Sequence, residues 1–334
     1  MIEIDGRPRR RPPHRGRSER PTTAEGYHAP VMVDEVLALL ESEGTGVMID
    51  ATLGGGGHAA AILHARPDLR ILGVDRDPVA RAAALSRLAP FGDRVRVVAG
   101  TFADASDIVA AEGDFIGSDP IVAILYDLGV SSRQLDDPER GFSYRFDAPL
   151  DMRMDPTQGP TAADVLAGLS RAELIEVLRE NGETRFAGAI ADRVIAEHPA
   201  TTFELVRAVE AAVPPAARRR GNAASRVFQA LRIEVNREVD QLRDGLEAGW
   251  DVLSGGGVMI VISYHSGEDR MVKAFFHEAA TGGCHCPPEI GCVCGAVPTA
   301  RVPRASARLA SADEVAHNPR AHSARLRSAW KVAA

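Results

Sequence analysis

The stretch DATLGGGGH at residues 50–58 decides the fold of this chain, because four consecutive glycines join an apolar run to an alanine-rich helical segment. The apolar run is GVMID (46–50), and the helical segment begins with AAAIL (59–63). A glycine-rich turn between a strand and a helix lets a ligand approach the main chain closely, with the N–H groups of the helix available to it. The stretch therefore predicts a cofactor site at the end of a first strand.

The composition is that of an ordinary water-soluble globular protein. The chain has 334 residues, of which 45% are hydrophobic and 25% are charged, so it is long enough for about two domains. No run approaches about 18 consecutive apolar residues, and the N-terminus lacks an apolar signal segment. We therefore expect a cytoplasmic protein with no membrane partner.

The net charge of −7 conceals two basic ends. Residues 1–20 carry seven arginines against three acids, and residues 301–334 carry six arginines and one lysine against two acids. A third cluster, ARRRGNAASR (217–226), contains no acid. Arginine-rich tails on an acidic body suggest a polyanionic partner, and solvated tails that maintain solubility are the alternative. The Pro/Arg/Gly composition of the N-terminus cannot bury a core, so we predict a disordered basic tail over residues 1–26.

From Tyr27 onward, short apolar runs alternate with helical segments. The runs are VMIDATL (47–53), LRILGVD (69–75), RVRVVAG (94–100), IVAILYDLG (121–129) and VMIVISYHS (258–266). Continuous apolar strands with helical connections are typical of a parallel sheet that is covered on both faces. The pattern therefore predicts a doubly wound α/β fold.

The alternation breaks after the fourth run. Residues 131–160 are polar, contain prolines and show no strand pattern, and helical segments follow around 161–181, 184–197 and 202–213. We predict an inserted all-helical domain over 136–222, flanked by the two parts of the α/β domain, 27–135 and 223–334. The sheet resumes after one long predicted helix, 226–250, whose apolar residues, Val239 included, recur every three or four positions.

Ligands of open α/β sheets lie beyond the carboxyl ends of the strands, so the residues there are candidate site residues. They are Gly54–Gly57 with His58, then Asp75, Phe102, Asp127 and the triplet Tyr264-His265-Ser266. Asp75 follows Gly56 by 19 residues, the separation at which an acidic side chain can bind ribose hydroxyls.

Two cofactor classes fit the glycine loop. GGGGHA matches the dinucleotide pattern G-x-G-x-x-A loosely, but an NAD-dependent dehydrogenase is disfavoured because no second mononucleotide half follows the fourth strand. The strand ends suit S-adenosylmethionine better, with an acid for ribose, an aromatic for adenine and a carboxylate near the reacting end. Each of these residues also has an explanation without a cofactor. Phe102 could simply pack in the core, Asp75 could cap the helix that begins at Pro78, and His58 could be an inert residue at a helix start.

Seven motifs identify a family that the chain resembles closely from about residue 28 to 332. They are HAPVMVDEVL (28–37), DATLGGGGH (50–58), GVDRDP (73–78), DLGVSSRQLDDPERGFSYRFDAPLDMRMDP (127–156), NGETRFA (181–187), SRVFQALRIEVNRE (225–238) and ISYHSGEDRMVK (262–273). The sequence is similar to the small-subunit rRNA cytosine-N4 methyltransferases, called RsmH or MraW.

This resemblance implies a class I, Rossmann-like methyltransferase domain with an inserted helical substrate-recognition domain. Family members use S-adenosylmethionine to methylate the exocyclic N4 of a cytosine in the decoding region of 16S rRNA, on the small ribosomal subunit. The cofactor-binding residues it implies are Gly56, Gly57, His58, Asp75, Phe102, Asp127 and Gln134. Asp127 is the candidate acceptor for an N4–H, and His265 is a second catalytic candidate.

The chain departs from the family pattern at three positions. Members commonly have Leu where Tyr126 stands, Phe where Tyr264 stands and Leu where Gly267 stands. We expect Tyr126 to point into the sheet packing, whereas Gly267 leaves the pose of His265 open.

This fold is also compatible with a different class of function, namely that of a non-catalytic RNA-binding assembly factor. The intact Asp75, Asp127 and glycine loop argue against it. The oligomeric state stays open, a homodimer included.

All four cysteines lie in CHCPPEIGCVC (284–294), with the spacing C-x-C-x₅-C-x-C. This concentration argues for one local site rather than a disulfide framework. Cys284, Cys286, Cys292 and Cys294 fit either one structural Zn²⁺ with four protein ligands or four reduced thiols in a loop, and C-x₂-C is the more usual spacing at zinc sites.

Overall fold

The computed structural model describes residues 30–218, 223–287, 292–303 and 307–333. The tail predicted to be disordered, 1–26, and two arginines of the central basic cluster, Arg219 and Arg220, lie outside the described residues.

The described residues form eight strands and fifteen α-helices. The strands are β1 (Gly46–Asp50), β2 (Leu69–Asp75), β3 (Val95–Ala99), β4 (Ile121–Asp127), β5 (Val258–Ser263), β6 (Ala300–Arg301), β7 (Arg308–Leu309) and β8 (Arg325–Lys331). The helices are α1 (Val33–Leu40), α2 (Gly57–Ala65), α3 (Pro78–Leu88), α4 (Ala105–Ala111), α5 (Gly113–Ile116), α6 (Ser132–Asp136), α7 (Ala162–Gly168), α8 (Arg171–Glu180), α9 (Ala187–Glu197), α10 (Thr202–Ala212), α11 (Pro215–Arg218), α12 (Ala223–Asn236), α13 (Glu238–Val252), α14 (Ser266–Thr281) and α15 (Ala312–His317).

One sheet contains all eight strands, in the order β3-β2-β1-β4-β5-β8-β6, with β7 pairing beside β8. Strands β1 to β5 are parallel, and β8 runs antiparallel to β5. The order reverses direction between β1 and β4, which makes the sheet doubly wound and confirms the predicted fold class. The three C-terminal strands were not predicted.

Helices cover the sheet on both faces. Successive side chains of a strand point to opposite faces, so a strand that is apolar throughout needs a cover on each face. Met48 of β1 belongs to a core with residues of α1 and α2 such as Leu40 and Ile62. Its neighbour Val47 belongs to a second core with residues of α13 and α14 such as Leu246. Burial on both faces explains why β1, β4 and β5 read as continuous apolar runs, whereas β3, at the edge of the sheet, is only partly buried.

The segment inserted after β4 builds a third core of its own. Its buried residues come from 142–213 and continue into the first half of α12, with Ala223, Val227 and Leu231. In the described part of 128–218 the only β-pairing is one isolated bridge, Pro149 to Thr201. The helical character of the insertion therefore agrees with the sequence, whereas its boundaries stay a prediction.

The single long helix predicted over 226–250 is wrong at its centre. Arg237 has a φ of 51° and separates α12 from α13. The buried Asn236 side chain accepts a hydrogen bond from the Met154 N–H (2.7 Å) and donates one to the Met152 carbonyl (2.8 Å), which stabilises the break. As a result, Val239 is 41% exposed instead of facing the core.

The described helices are each too short or too polar to cross a lipid bilayer.

Candidate active site

A cavity of about 880 Å³ opens at the carboxyl ends of the parallel strands. Its lining combines sheet-end residues with Met154 and Glu180 of the inserted segment and Arg232 of α12. Most residues predicted for the site line this cavity: Gly57, His58, Asp75, Phe102, Asp127, Gln134 and His265. Of the residues predicted at the strand ends, Gly56 and Ser266 lie outside the lining.

Gly56 instead shapes the glycine loop. Its φ of 73° is left-handed, which favours glycine, and it immediately precedes α2. A Cβ at this position would lie 3.1 Å from Cδ1 of Leu88 on α3, so the loop packs closely on that helix. Gly54, with a φ of 53°, Gly55 and Gly57 form the cavity wall.

The carboxylate of Asp75 fixes two turns. Its Oδ2 accepts a hydrogen bond from the Gly54 N–H (2.7 Å), and its Oδ1 accepts one from the Asp77 N–H (2.8 Å). The N-cap of α3 is Asp77, whose Oδ1 accepts from the Val79 N–H (2.9 Å), so Asp75 is not the cap. Burial raises the pKa of Asp75 above its ordinary value.

Phe102 is half-buried and packs edge-on against Tyr126, with ring centroids 5.7 Å apart. Tyr126 is fully buried, as expected, and its hydroxyl donates to the Gly245 carbonyl at 2.7 Å. A Cβ on Gly245 would overlap Phe102, and one on Gly249 would overlap the Tyr126 hydroxyl. Two glycines of α13 therefore make room for this aromatic pair.

Asp127 lies between two proton-bearing side chains. Its Oδ1 accepts a hydrogen bond from the Tyr264 hydroxyl (2.7 Å), and its Oδ2 lies 3.6 Å from Nδ1 of His58. Nε2 of His58 lies 2.8 Å from the Val31 carbonyl, which only accepts, so Nε2 carries a hydrogen. In the neutral ring Nδ1 therefore carries a lone pair, which faces the lone pairs of Asp127 Oδ2. The contact between these two atoms becomes attractive only when one of them carries a proton. Burial raises the pKa of Asp127.

Asp50, which was not among the predicted site residues, ends β1 beside this pair and is 1% exposed. Its Oδ2 has no hydrogen-bond partner among the described residues. The pKa of Asp50 is raised to about 7, chiefly by burial and also by the nearby Asp127 and Asp75, whereas His58 and the Thr52 N–H act to lower it. Three carboxylates with raised pKa values therefore surround the glycine loop, which favours a cationic ligand.

His265 lines the cavity and also caps α14. Its Nδ1 accepts from the Glu268 N–H (3.4 Å), while its Nε2 lies 3.1 Å from Oε1 of Glu268. The same glutamate accepts from the Tyr264 N–H at 2.8 Å. A Cβ on Gly267 would lie 3.1 Å from the His265 ring, so the ring packs over this glycine and Glu268 sets its pose.

Gln134 connects the cavity to the inserted segment through Asp77. Its Nε2 donates to Asp77 Oδ2 (3.0 Å), and Nη1 of Arg140 donates to the same oxygen (2.9 Å). Arg140 also donates from Nη2 to the carbonyls of Arg153 and Met154. Sequence reasoning missed Asp77 and Arg140, although both lie in the motifs GVDRDP and DDPERGFS, where buried charged residues need partners.

The four cysteines lie away from the cavity lining. Their sulfur atoms all lie within 4.8 Å of one another, in the loop between α14 and β6.

Comparison with known proteins places this chain in one family, by a family model and by individual relatives alike. The model of the MraW methylase family matches residues 25–332. A protein of Heliobacterium modesticaldum named ribosomal RNA small subunit methyltransferase H is 45% identical over 313 residues, which cover 92% of this chain and 99% of that protein. A protein of the same name from Nocardioides is 47% identical, over 90% and 95% of the two chains. The crystal structure of a putative rRNA-methylase from Clostridium thermocellum aligns over 91% of this chain and 100% of that chain, with a TM-score of 0.40 and 12% identity.

Proposed function

Because the chain belongs to the MraW methylase family, we propose that it transfers a methyl group from S-adenosylmethionine to the exocyclic N4 of a cytosine in the decoding region of 16S rRNA, within the small ribosomal subunit. This makes it an rRNA (cytosine-N4-)-methyltransferase that works in the cytoplasm.

The observation that carries the cofactor assignment is the unpartnered Oδ2 of Asp50, buried beside Asp75 and Asp127. The other oxygen of Asp50, Oδ1, accepts a hydrogen bond from the Thr52 N–H at 3.4 Å. A buried carboxylate oxygen without a partner is costly, and an opposite charge nearby offsets that cost. S-adenosylmethionine carries a sulfonium and an ammonium group, so its charge complements this cluster. NAD carries a diphosphate, which three nearby carboxylates would repel.

The cavity residues fit the parts of this cofactor. The backbone of Gly54–Gly57 allows close approach, Asp75 is suited to the ribose hydroxyls, and Phe102 offers an aromatic face for adenine. His58 and Gln134 complete the pocket. When bound, S-adenosylmethionine supplies an electrophilic methyl group.

Asp127 is positioned to align the nucleophile. The lone pair of cytosine N4 is delocalised into the ring, so the amine reacts poorly unless it is held in line, and positioning can contribute roughly 7–11 kcal/mol. Tyr264 holds Oδ1 of Asp127 at 2.7 Å, which leaves Oδ2 to accept an N4–H. Accepting that hydrogen aims the lone pair toward the methyl group.

His58 Nδ1 and Asp127 Oδ2 can also bind one proton between them. After methyl transfer the N4 nitrogen is cationic and loses a proton readily, either to water or to the Asp127 oxygen that faces His58. A general base is therefore useful but not obligatory. His265 is engaged with Glu268, which makes it the weaker catalytic candidate.

We assign the RNA to the side of the cavity formed by the inserted segment. On the surface of this segment, outside the cavity lining, Tyr144 and Phe146 are 37% and 48% exposed, Arg145 lies exposed between them, and Phe203 of α10 is 39% exposed. The Thr202 hydroxyl donates to the Phe146 carbonyl at 2.6 Å, which joins the two segments. Exposed aromatics beside arginine are suited to stacking unpaired bases. The arginines at 218–220 would add phosphate contacts.

The decisive experiment incubates purified small subunits with methyl-tritiated S-adenosylmethionine and the full chain, then identifies the labelled nucleoside. We expect label in N4-methylated cytidine of 16S rRNA and negligible label in free cytidine. Small subunits already methylated at the target base serve as the matched control. Tight subunit binding without any label would instead support the assembly factor, and label on another base would overturn the specificity.

A further inference from the structure

The four cysteines form a compact cluster of sulfur atoms outside the methyl-transfer site. Cys284 and Cys292 have their Sγ atoms 3.5 Å apart, Cys292 and Cys294 3.6 Å apart, and all four Sγ atoms lie within 4.8 Å of one another. Four thiolates at ~2.3 Å from a tetrahedral Zn²⁺ have sulfur atoms ~3.8 Å apart. The observed separations are therefore those of ligands around one ion.

The surroundings of the sulfur atoms favour an ion over free thiols. All four cysteines are free, and two of them, Cys292 and Cys294, are exposed, whereas metal-free cysteines are among the most buried residues of proteins. The Val293 N–H donates to Cys286 Sγ at 3.5 Å. This contact links the two cysteine-bearing parts of the loop.

The loop that carries the cluster has no hydrophobic core in its described parts. Val293 and Val297 are 75% and 72% exposed, and residues 282–287 and 292–299 contain no helix or strand. Both ends of the loop are fixed. Gly282 ends α14 in the left-handed conformation, and the Thr299 N–H donates to the Ala279 carbonyl at 2.8 Å. Between these ends, cross-linking through the sulfur atoms is the interaction that can order the chain.

We propose that Cys284, Cys286, Cys292 and Cys294 bind one structural Zn²⁺. Four thiolate ligands fill its tetrahedral coordination, so no open position remains for a substrate or an activated water. None of the four lines the cavity, so the ion does not take part in methyl transfer. Its role is to fix the loop between α14 and β6, because metal binding contributes directly to the folding of such segments.

The test is metal analysis of the full chain, expressed with added zinc and purified without a polyhistidine tag. We expect about one zinc per chain, the stoichiometry of a four-cysteine site. The double variant Cys284→Ser with Cys294→Ser should lose it. His285→Ala is the matched control, because His285 lies between two ligands but is exposed and outside the sulfur cluster, so this variant should keep its zinc.

A second measurement keeps the proposal testable should the double variant fail to fold. Titration of the folded wild type with an organomercurial reagent should release zinc in step with the reaction of the four thiols, as followed with a chromogenic chelator. A wild type that contains no zinc and shows four freely reactive thiols would overturn the proposal. Stoichiometric iron in place of zinc, or loss of zinc in His285→Ala, would overturn the ion or the ligand set.

Discussion

Replacing Asp50 with Asn should remove a large part of the pH dependence of folding stability. The pKa of Asp50 is raised from 3.8 to about 7, so the folded protein favours the protonated carboxyl. The stability that this group contributes is therefore complete below pH 3.8 and is lost as the pH rises through 7. The slope is ~1.36 kcal/mol per pH unit near pH 5 and falls to about half of that at pH 7, which gives a loss of roughly 2.6 kcal/mol between pH 5 and pH 8.

The assay is urea unfolding of the ligand-free protein at pH 5, 6, 7 and 8. The two tryptophans, Trp250 on α13 and Trp330 on β8, both lie in the α/β part of the chain and report its unfolding by fluorescence. The quantity to compare is the change in the free energy of unfolding between pH 5 and pH 8. Any pH-independent cost of the Asn side chain cancels in this difference.

The exposed Asp107 on α4 provides the control, because Asp107→Asn should leave the pH dependence as it is in the wild type. Asp50→Asn should also weaken cofactor binding, and it should reduce the proton release that accompanies binding near pH 7, since a cation lowers the pKa of a neighbouring carboxyl. If Asp50→Asn and wild type lose the same stability between pH 5 and pH 8, folding does not raise the pKa of Asp50 and the reasoning is refuted.

Three of the remaining predictions concern the cofactor and the nucleophile, and one concerns the RNA. Asp75→Ala should weaken S-adenosylmethionine binding about tenfold or more, because it removes hydrogen bonds worth roughly 1.5–3 kcal/mol; unchanged calorimetric affinity in the folded variant would refute the ribose role. Asp127→Asn should retain far more single-turnover methyl transfer than Asp127→Ala, because Asn keeps an acceptor oxygen. A comparable ~10²–10⁴-fold loss in both would indicate proton acceptance in the transition state instead. Tyr264→Phe should shift the acidic limb of the pH–rate profile to higher pH, because the Tyr264 hydrogen bond lowers the pKa of Asp127; an unmoved limb would separate the hydroxyl from the chemistry. Neutralising the arginines at 218–220 should lower affinity for the small subunit and flatten its salt dependence, since fewer counterions are released; an unchanged salt slope would exclude phosphate contacts there.

The sequence by itself determined the parallel strands and the site at their carboxyl ends. Strands β1, β4 and β5 are buried on both faces, and this double burial requires continuous apolar runs that are visible in a single sequence. The glycine loop is equally local, because left-handed backbone at Gly54 and Gly56 requires that residue type. Asp75 and Asp127 could be named because each is the last residue of an apolar run.

The tertiary structure alone decided which distant side chains meet. The break at Arg237 depends on Asn236 bonding to Met154, 82 residues away, so the helical periodicity across 226–250 gave no sign of it. Likewise, the Tyr264 hydroxyl reaches Asp127 across 137 residues. Periodicity records only whether a position is buried, whereas hydrogen bonds of this kind depend on the relative placement of whole elements.

The same distinction applies to the residues that differ from the family pattern and to the cysteines. Tyr126 is accommodated because Gly245 and Gly249 of α13 lie against the aromatic pair, a complementarity of volumes between two elements that no local pattern encodes. The spacing of the four cysteines allowed either a metal site or free thiols. The mutual approach of all four sulfur atoms to within 4.8 Å is a property of the folded loop, and it favours the metal because four sulfur ligands at such separations suit one tetrahedral ion.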